Sequence, residues 1–148
     1  MWAAVNDVLE RLAEPAGADP LAAHRDVIDA CFKANTVEEI VDALAADGSD
    51  FALSTRDALL AKSPTSLKIS LELMRRGRQA SSLAEVLLME YRLSQACMAG
   101  HDYYEGIRAV LVDKDHAPKW KPATLEAVGE DIVAAHLTAP AHGDWSLA

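Results

Sequence analysis

Ser63-Pro64-Thr65-Ser66-Leu67-Lys68-Ile69-Ser70-Leu71-Glu72-Leu73-Met74-Arg75-Arg76-Gly77 is the stretch on which the fold turns. Its apolar residues between Leu67 and Leu73 alternate, as in a half-buried strand. Its start argues otherwise. Ser63 is an N-cap residue and Pro64 stands where a helix tolerates proline, at the first helical position. Leu67, Leu71 and Met74 then fall on one helical stripe, so the spacing predicts a helix from Pro64 to Arg76, closed by Gly77.

Outward from this segment the same grammar repeats. Thr36-Val37-Glu38-Glu39 reads as a capping box, in which the threonine hydroxyl accepts from the backbone of Glu39 and the glutamate reaches back. Ile40, Val41 and Leu44 follow at helical spacing, and Gly48 stops the helix. Ser82 with Glu85 is a second box and opens the longest helix, to about Ala99. Its stripe is Leu83, Val86, Leu87, Leu93 and Cys97, with Glu90 in line. Asp102 with Glu105 reads as a third box, before Tyr103, Ile107, Val110 and Leu111. Ile107 to Val112 is strand-like in composition, but the cap favours helix.

Toward the N-terminus a helix is expected over about 3–13, ended by Glu14-Pro15-Ala16-Gly17. A second runs from Pro20 to about Ala34 with Leu21, His24, Val27, Ile28, Cys31 and Phe32 on its stripe. Another covers about 50–61. After Asp113 a charged, proline-punctuated loop runs to Pro122, and a last helix over about 124–137 is weakened by Gly129. The tail beyond Pro140 is expected to fray. The fold is therefore all-α, with seven or eight helices: N-terminal hairpins over 1–62, a more tightly specified set over 63–138, and a tail over 139–148.

Composition agrees. Of the 148 residues 51% are apolar and 5% aromatic, and the net charge is −9. Such a charge lacks the basic face with which nucleic-acid binders neutralise phosphates. No apolar run of about 18 residues is present, so no membrane span is expected. Cys31 and Cys97 lie far apart inside helical patterns, which suits buried thiols in a reducing compartment, taken here as the cytoplasm.

Few residues suggest chemistry. His24, His101, Asp102 and Asp113 nominally supply a metal set, but His101-Asp102 sits at a turn between helices, where capping explains it. No metal is expected. No Gly-x-Ser-x-Gly elbow and no phosphate-cradling glycine loop occur. Glu90, on an apolar stripe, must pair or shift its pKa upward if buried. Arg108, Lys68 and His101 are its candidate partners. Lys114, Lys119 and Lys121 share one loop with Trp120, shortly after Arg108. Flexible ammonium groups beside an aromatic suit a phosphate on a flat heterocycle. On spacing alone, a solvated loop balanced by Asp113 and Asp115 is the plainer reading.

The order of several strings carries more than composition does: Thr36-Val37-Glu38-Glu39-Ile40, Ser63-Pro64-Thr65-Ser66-Leu67-Lys68, Met89-Glu90-Tyr91-Arg92-Leu93-Ser94, His101 through Asp115, and Pro118-Lys119-Trp120. Over about residues 20–138 the chain resembles the C-terminal part of 3-hydroxyisobutyryl-CoA hydrolases, a branch of the crotonase (enoyl-CoA hydratase/isomerase) superfamily. The Glu105-Gly106 pair and the helix after it are superfamily features, while the Ser-Pro-Thr-Ser-Leu-Lys and Met-Glu-Tyr-Arg-Leu-Ser strings point to the hydrolase branch.

That resemblance implies hydrolysis of a branched 3-hydroxyacyl-CoA thioester in valine breakdown, with catalytic carboxylates and oxyanion hole in a β/α spiral core. No such core is encoded here, so no catalytic residue transfers and the chain is expected to be inactive alone. Coenzyme A enters only as part of a substrate. Lys114 is the nearest match in position to a lysine that meets its nucleotide in related enzymes, with Lys119 and Lys121 beside it. The expected partner is a crotonase-like core, or a second copy, docked on an apolar helical face. The other reading is a free-standing helical interaction module without catalysis. A neighbouring reading frame for the core favours the first.

Overall fold

The computed structural model describes residues 2–15 and 17–145. Among these residues eight α-helices follow one another: α1 (Trp2–Leu12), α2 (Arg25–Cys31), α3 (Val37–Asp47), α4 (Asp50–Leu60), α5 (Pro64–Gln79), α6 (Leu83–Ala99), α7 (His101–Ile107) and α8 (Glu130–Ala135). A 3₁₀ turn, Ala22–His24, precedes α2, and α7 runs on into a π-helical turn, Arg108–Val112. Among the described residues there is no strand, so both strand-like runs are helical.

The caps decide most boundaries. At α3 the box is complete: the Glu39 amide donates to Thr36 Oγ1 at 3.1 Å, and Glu39 Oε2 accepts from the Thr36 and Asn35 amides. Gly48 ends α3 at φ 71°, a left-handed conformation that L residues resist. Ser63 caps α5 through the Ser66 amide, with Pro64 in the first turn. The expected box at α6 is half made. Ser82 Oγ accepts from Glu85, whose own carboxylate takes the Ser81 amide and hydroxyl instead.

Four expectations need correcting. Gly77 does not end α5, which continues to Gln79: Arg76 and Arg78 complement its C-terminal dipole, and the break waits for Ser81-Ser82. α2 is shorter than Pro20–Ala34, because Asp19 accepts from the amides of Leu21 and Ala22 and forces a tight turn first. The last helix is only Glu130–Ala135, since Gly129 takes an extended cap conformation and Leu125 to Val128 close a turn. The tail does not fray as far as Trp145. Arg92 holds Asp144 by two hydrogen bonds, and the Tyr91 hydroxyl meets His142 Nε2 at 2.9 Å.

The core is small. Cys31, Ile40, Leu44 and Ala52 form its centre, with Val27, Ala43, Leu59 and Leu71 packed around them. His24 stacks on Phe51 with ring centroids 4.1 Å apart. Lys68 joins α5 to Glu38 at 2.6 Å and to the Val128 carbonyl at 3.0 Å.

Much apolar surface is left over. α1 and α6 bury no residue fully, and Trp2, Leu9, Leu12, Leu83, Leu111 and Val112 are all at least 60% exposed. The accessible surface is 10453 Å². A compact monomer of this mass exposes roughly 7,400 Å² by the surface–mass scaling of folded proteins. Every residue of α1 is exposed, in keeping with this excess.

Candidate functional site

Gly100 both stops α6 and starts α7, so α7 begins at His101 and not after Asp102. Asp102 is therefore no cap, contrary to the third box expected from sequence. One residue inside the helix, its carboxylate turns to other partners. Asp102 Oδ2 accepts from Ser63 Oγ at 2.6 Å, and Oδ1 accepts from the Lys121 amide at 2.8 Å, with His101 Nδ1 at 3.0 Å. The three side chains are those of a hydrolytic triad, but the carboxylate sits in the middle. Ser63 donates its hydrogen bond to a carboxylate, and among the described residues no imidazole bonds it, so the arrangement is a clasp and not a nucleophile.

Glu105, one turn later, behaves alike. It receives two hydrogen bonds from Arg108, 2.9 and 2.8 Å, and the Lys119 amide at 2.7 Å. The Arg108 guanidinium and that amide hold the Glu105 carboxyl well below its ordinary range, at about 2. Arg108 also reaches Asp113 at 2.6 Å, Asp115 at 2.8 Å and the Ala117 carbonyl. Its pKa is raised by these carboxylates, Glu105 first, and the pKa of Asp115 is lowered by the same contact.

This sorting of charge bears on the basic loop. Asp113 and Asp115, expected from spacing to balance the lysines, are drawn to Arg108. Lys114, Lys119 and Lys121 are exposed, and none of the ion pairs among the described residues involves them. Lys114 and His116 both hold a left-handed backbone, φ 55° and 54°, on either side of the anchored Asp115. Trp120 is half-buried between Lys119 and Lys121. Its Nε1 donates to the Ala61 carbonyl at 3.2 Å, and its ring covers Gly106, where an added Cβ would stand 3.4 Å from it.

Beside this loop lies a cleft of about 450 Å³ lined by Ser63, Thr65, Ser66, Cys97, His101, Asp102, Trp120, Lys121 and His136, among others. The Thr65 hydroxyl, buried in its wall, has no hydrogen-bond partner among the described residues. Both cysteines are unbridged, and burial pushes the thiols of Cys31 and Cys97 up. Among the described residues no three His, Cys, Asp or Glu side chains converge as a metal set.

Glu90 overturns its expectation. It is exposed, and no hydrogen bond or ion pair among the described residues reaches it. Arg108 and Lys68 are engaged elsewhere, and His101 faces Asp102. Leu83 and Leu87 of the same stripe are exposed too, so its carboxylate stays in water and needs no partner.

Sequence reading missed the two carboxylate clamps and the Arg92–Asp144 tie. The Glu105/Arg108 spacing of three on a helix was a usable signal. Nothing local announces Ser63–Asp102 or Arg92–Asp144, which join residues 39 and 52 apart.

A family model described as enoyl-CoA hydratase/isomerase matches residues 2–137. The chain belongs to that family. Among curated relatives, it is 56% identical over 116 residues to the mitochondrial 3-hydroxyisobutyryl-CoA hydrolase of Homo sapiens, covering 78% of this chain and 30% of the relative. To that of Xenopus laevis it is 52% identical over 127 residues, covering 86% and 33%. Among solved structures, a carnitinyl-CoA dehydratase from Mycobacterium thermoresistibile superposes with a TM-score of 0.84 at 39% identity, over 94% of this chain and 40% of that one. An enoyl-CoA hydratase from Rhodobacter sphaeroides 2.4.1 gives 0.80 at 33% identity, over 99% and 44%. The chain thus spans about a third of the length of the curated relatives it matches.

Proposed function

We propose that this chain is the helical C-terminal portion of a 3-hydroxyisobutyryl-CoA hydrolase-like enzyme, acting on acyl-CoA thioesters of valine catabolism only when joined to a crotonase-like core. The observation that carries the reading is the surplus of apolar surface on α1, α6 and the end of the α7 segment, in a chain that matches a third of its relatives. Exposed apolar side chains along these helices support a docking face there. The clasp at Ser63–Asp102 offers Ser63 no base, which supports a reading in which the chemistry lies with the crotonase-like core. Lys114, Lys119 and Lys121 are assigned to the phosphate-bearing end of the coenzyme, supported by the diversion of Asp113 and Asp115 to Arg108. Screened surface lysines bind weakly alone, so the isolated chain should hold coenzyme A feebly.

The test is to mix the chain with a separately produced core and follow thioester hydrolysis. Activity that appears only in the mixture supports the proposal. A core that binds nothing here, with no gain in hydrolysis, favours the free-standing interaction module. In the reconstituted enzyme, changing all three lysines to alanine should raise KM with kcat preserved, since they contact the nucleotide end and not the reacting bond. For location we propose the cytoplasm, a reducing compartment that suits two unbridged thiols. The curated relatives are named mitochondrial, and fractionation decides between the two.

A further inference from the structure

We propose that Asp102 and Glu105 are positioning residues, which fix the backbone of Lys119 and Lys121 so that both ammonium groups are presented before a phosphate-bearing ligand arrives. The inference rests on the reading that these lysines meet the coenzyme, and it adds what holds them.

The two carboxylates stand one turn apart on α7, with side chains only 14% and 11% exposed. Glu105 Oε1 takes the Lys119 amide and Asp102 Oδ1 the Lys121 amide, at 2.7 and 2.8 Å. Between them Trp120 is fixed by its own hydrogen bond to Ala61 and by contact with Gly106. Three consecutive residues of a loop without regular structure are thus pinned, two through the backbone and one through the side chain. Each clamp is itself held: Asp102 by the Ser63 hydroxyl, Glu105 by two bonds from Arg108. A carboxylate bonded to a lysine's amide leaves the ammonium group free for another anion. Carboxylates paired with the ammonium groups themselves would compete with a phosphate. Ordering the loop in advance removes that cost from binding.

The experiment uses the 148-residue chain with coenzyme A as the probe, read by backbone NMR. Asp102→Ala and Glu105→Ala should speed amide exchange at Lys121 and Lys119 respectively and weaken coenzyme A binding by about threefold or more, as expected for lost pre-organisation. Asp102→Asn and Glu105→Gln keep an acceptor oxygen and should restore much of both. Where an alanine variant does not fold, the proposal is read on the other clamp and its own amide. If exchange speeds up and affinity stays unchanged while Lys119→Ala and Lys121→Ala weaken it, the lysine reading stands and positioning is wrong. If the lysine variants leave affinity unchanged as well, both fall.

Discussion

Arg92 and Asp144 lie 52 residues apart and meet through two parallel hydrogen bonds, of 2.7 and 2.6 Å. The pair folds the C-terminal segment back onto α6, where the Tyr91–His142 contact sits alongside. The Arg92 guanidinium lowers the pKa of Asp144. Both side chains remain about a third exposed, so the pair orders the segment locally and adds little to global stability. Asp144→Ala should therefore speed amide exchange and protease cleavage over residues 139–145 and leave the urea midpoint unchanged. A large fall in the midpoint would show the tail to be part of the cooperative unit.

Helix type and most boundaries were legible because caps are local: Thr36 with Glu39, and Ser63 with Pro64, act within one turn of their own position. Gly77 and Gly129 show the limit of that grammar. A glycine stops a helix only when the following residues cannot continue it, and Arg78-Gln79 can, whereas Gly129 itself becomes a cap. The site was less legible. Lys114, Lys119 and Lys121 could be picked out as a basic loop, but whether Asp113 and Asp115 neutralise them depends on where Arg108 points. Glu90 was misjudged for a similar reason: a helical stripe implies burial only if something covers it.

Leu44 is fully buried and sits at the centre of the small core, against Cys31, Ile40 and Ala52. Leu44→Ala removes its packing and leaves a cavity, at about 2–5 kcal/mol for such a change. With so few buried side chains to compensate, that is a large share of the stability of a domain of this size. Urea denaturation should show the unfolding free energy falling by that amount, with the midpoint lowered in proportion. A change below about 0.5 kcal/mol, the range of ordinary surface substitutions, would mean that the core does not close around Leu44.

Glu105 gives a pH dependence with a defined sign. Its folded pKa, about 2, lies below the ordinary value of 4.5, so its contribution is fully present above about 4.5 and is lost as pH falls toward 2. Thermal melts of the chain and of Glu105→Gln should differ most at neutral pH and converge between pH 4.5 and 2. A difference that stays constant across this window would show that the charge of Glu105 is immaterial. Convergence at alkaline pH would point to another group.

Leu83 and Leu87 lie one turn apart on α6, both exposed, on a helix with no fully buried residue. Each apolar side chain left in water forgoes roughly 1.5–3 kcal/mol of burial, a driving force for association with whatever shape fits. In the absence of a core, the available partner is a second copy. Sedimentation of the chain at rising concentration should therefore show self-association, and Leu83→Gln with Leu87→Gln should suppress it without lowering the unfolding midpoint, because neither side chain supports the monomer's core. Adding the core should have the same suppressing effect if both occupants use this face. A chain that stays monomeric at high concentration, and whose hydrolysis with the core is untouched by the two substitutions, would remove α6 from the docking surface and leave α1 and the end of the α7 segment to supply it.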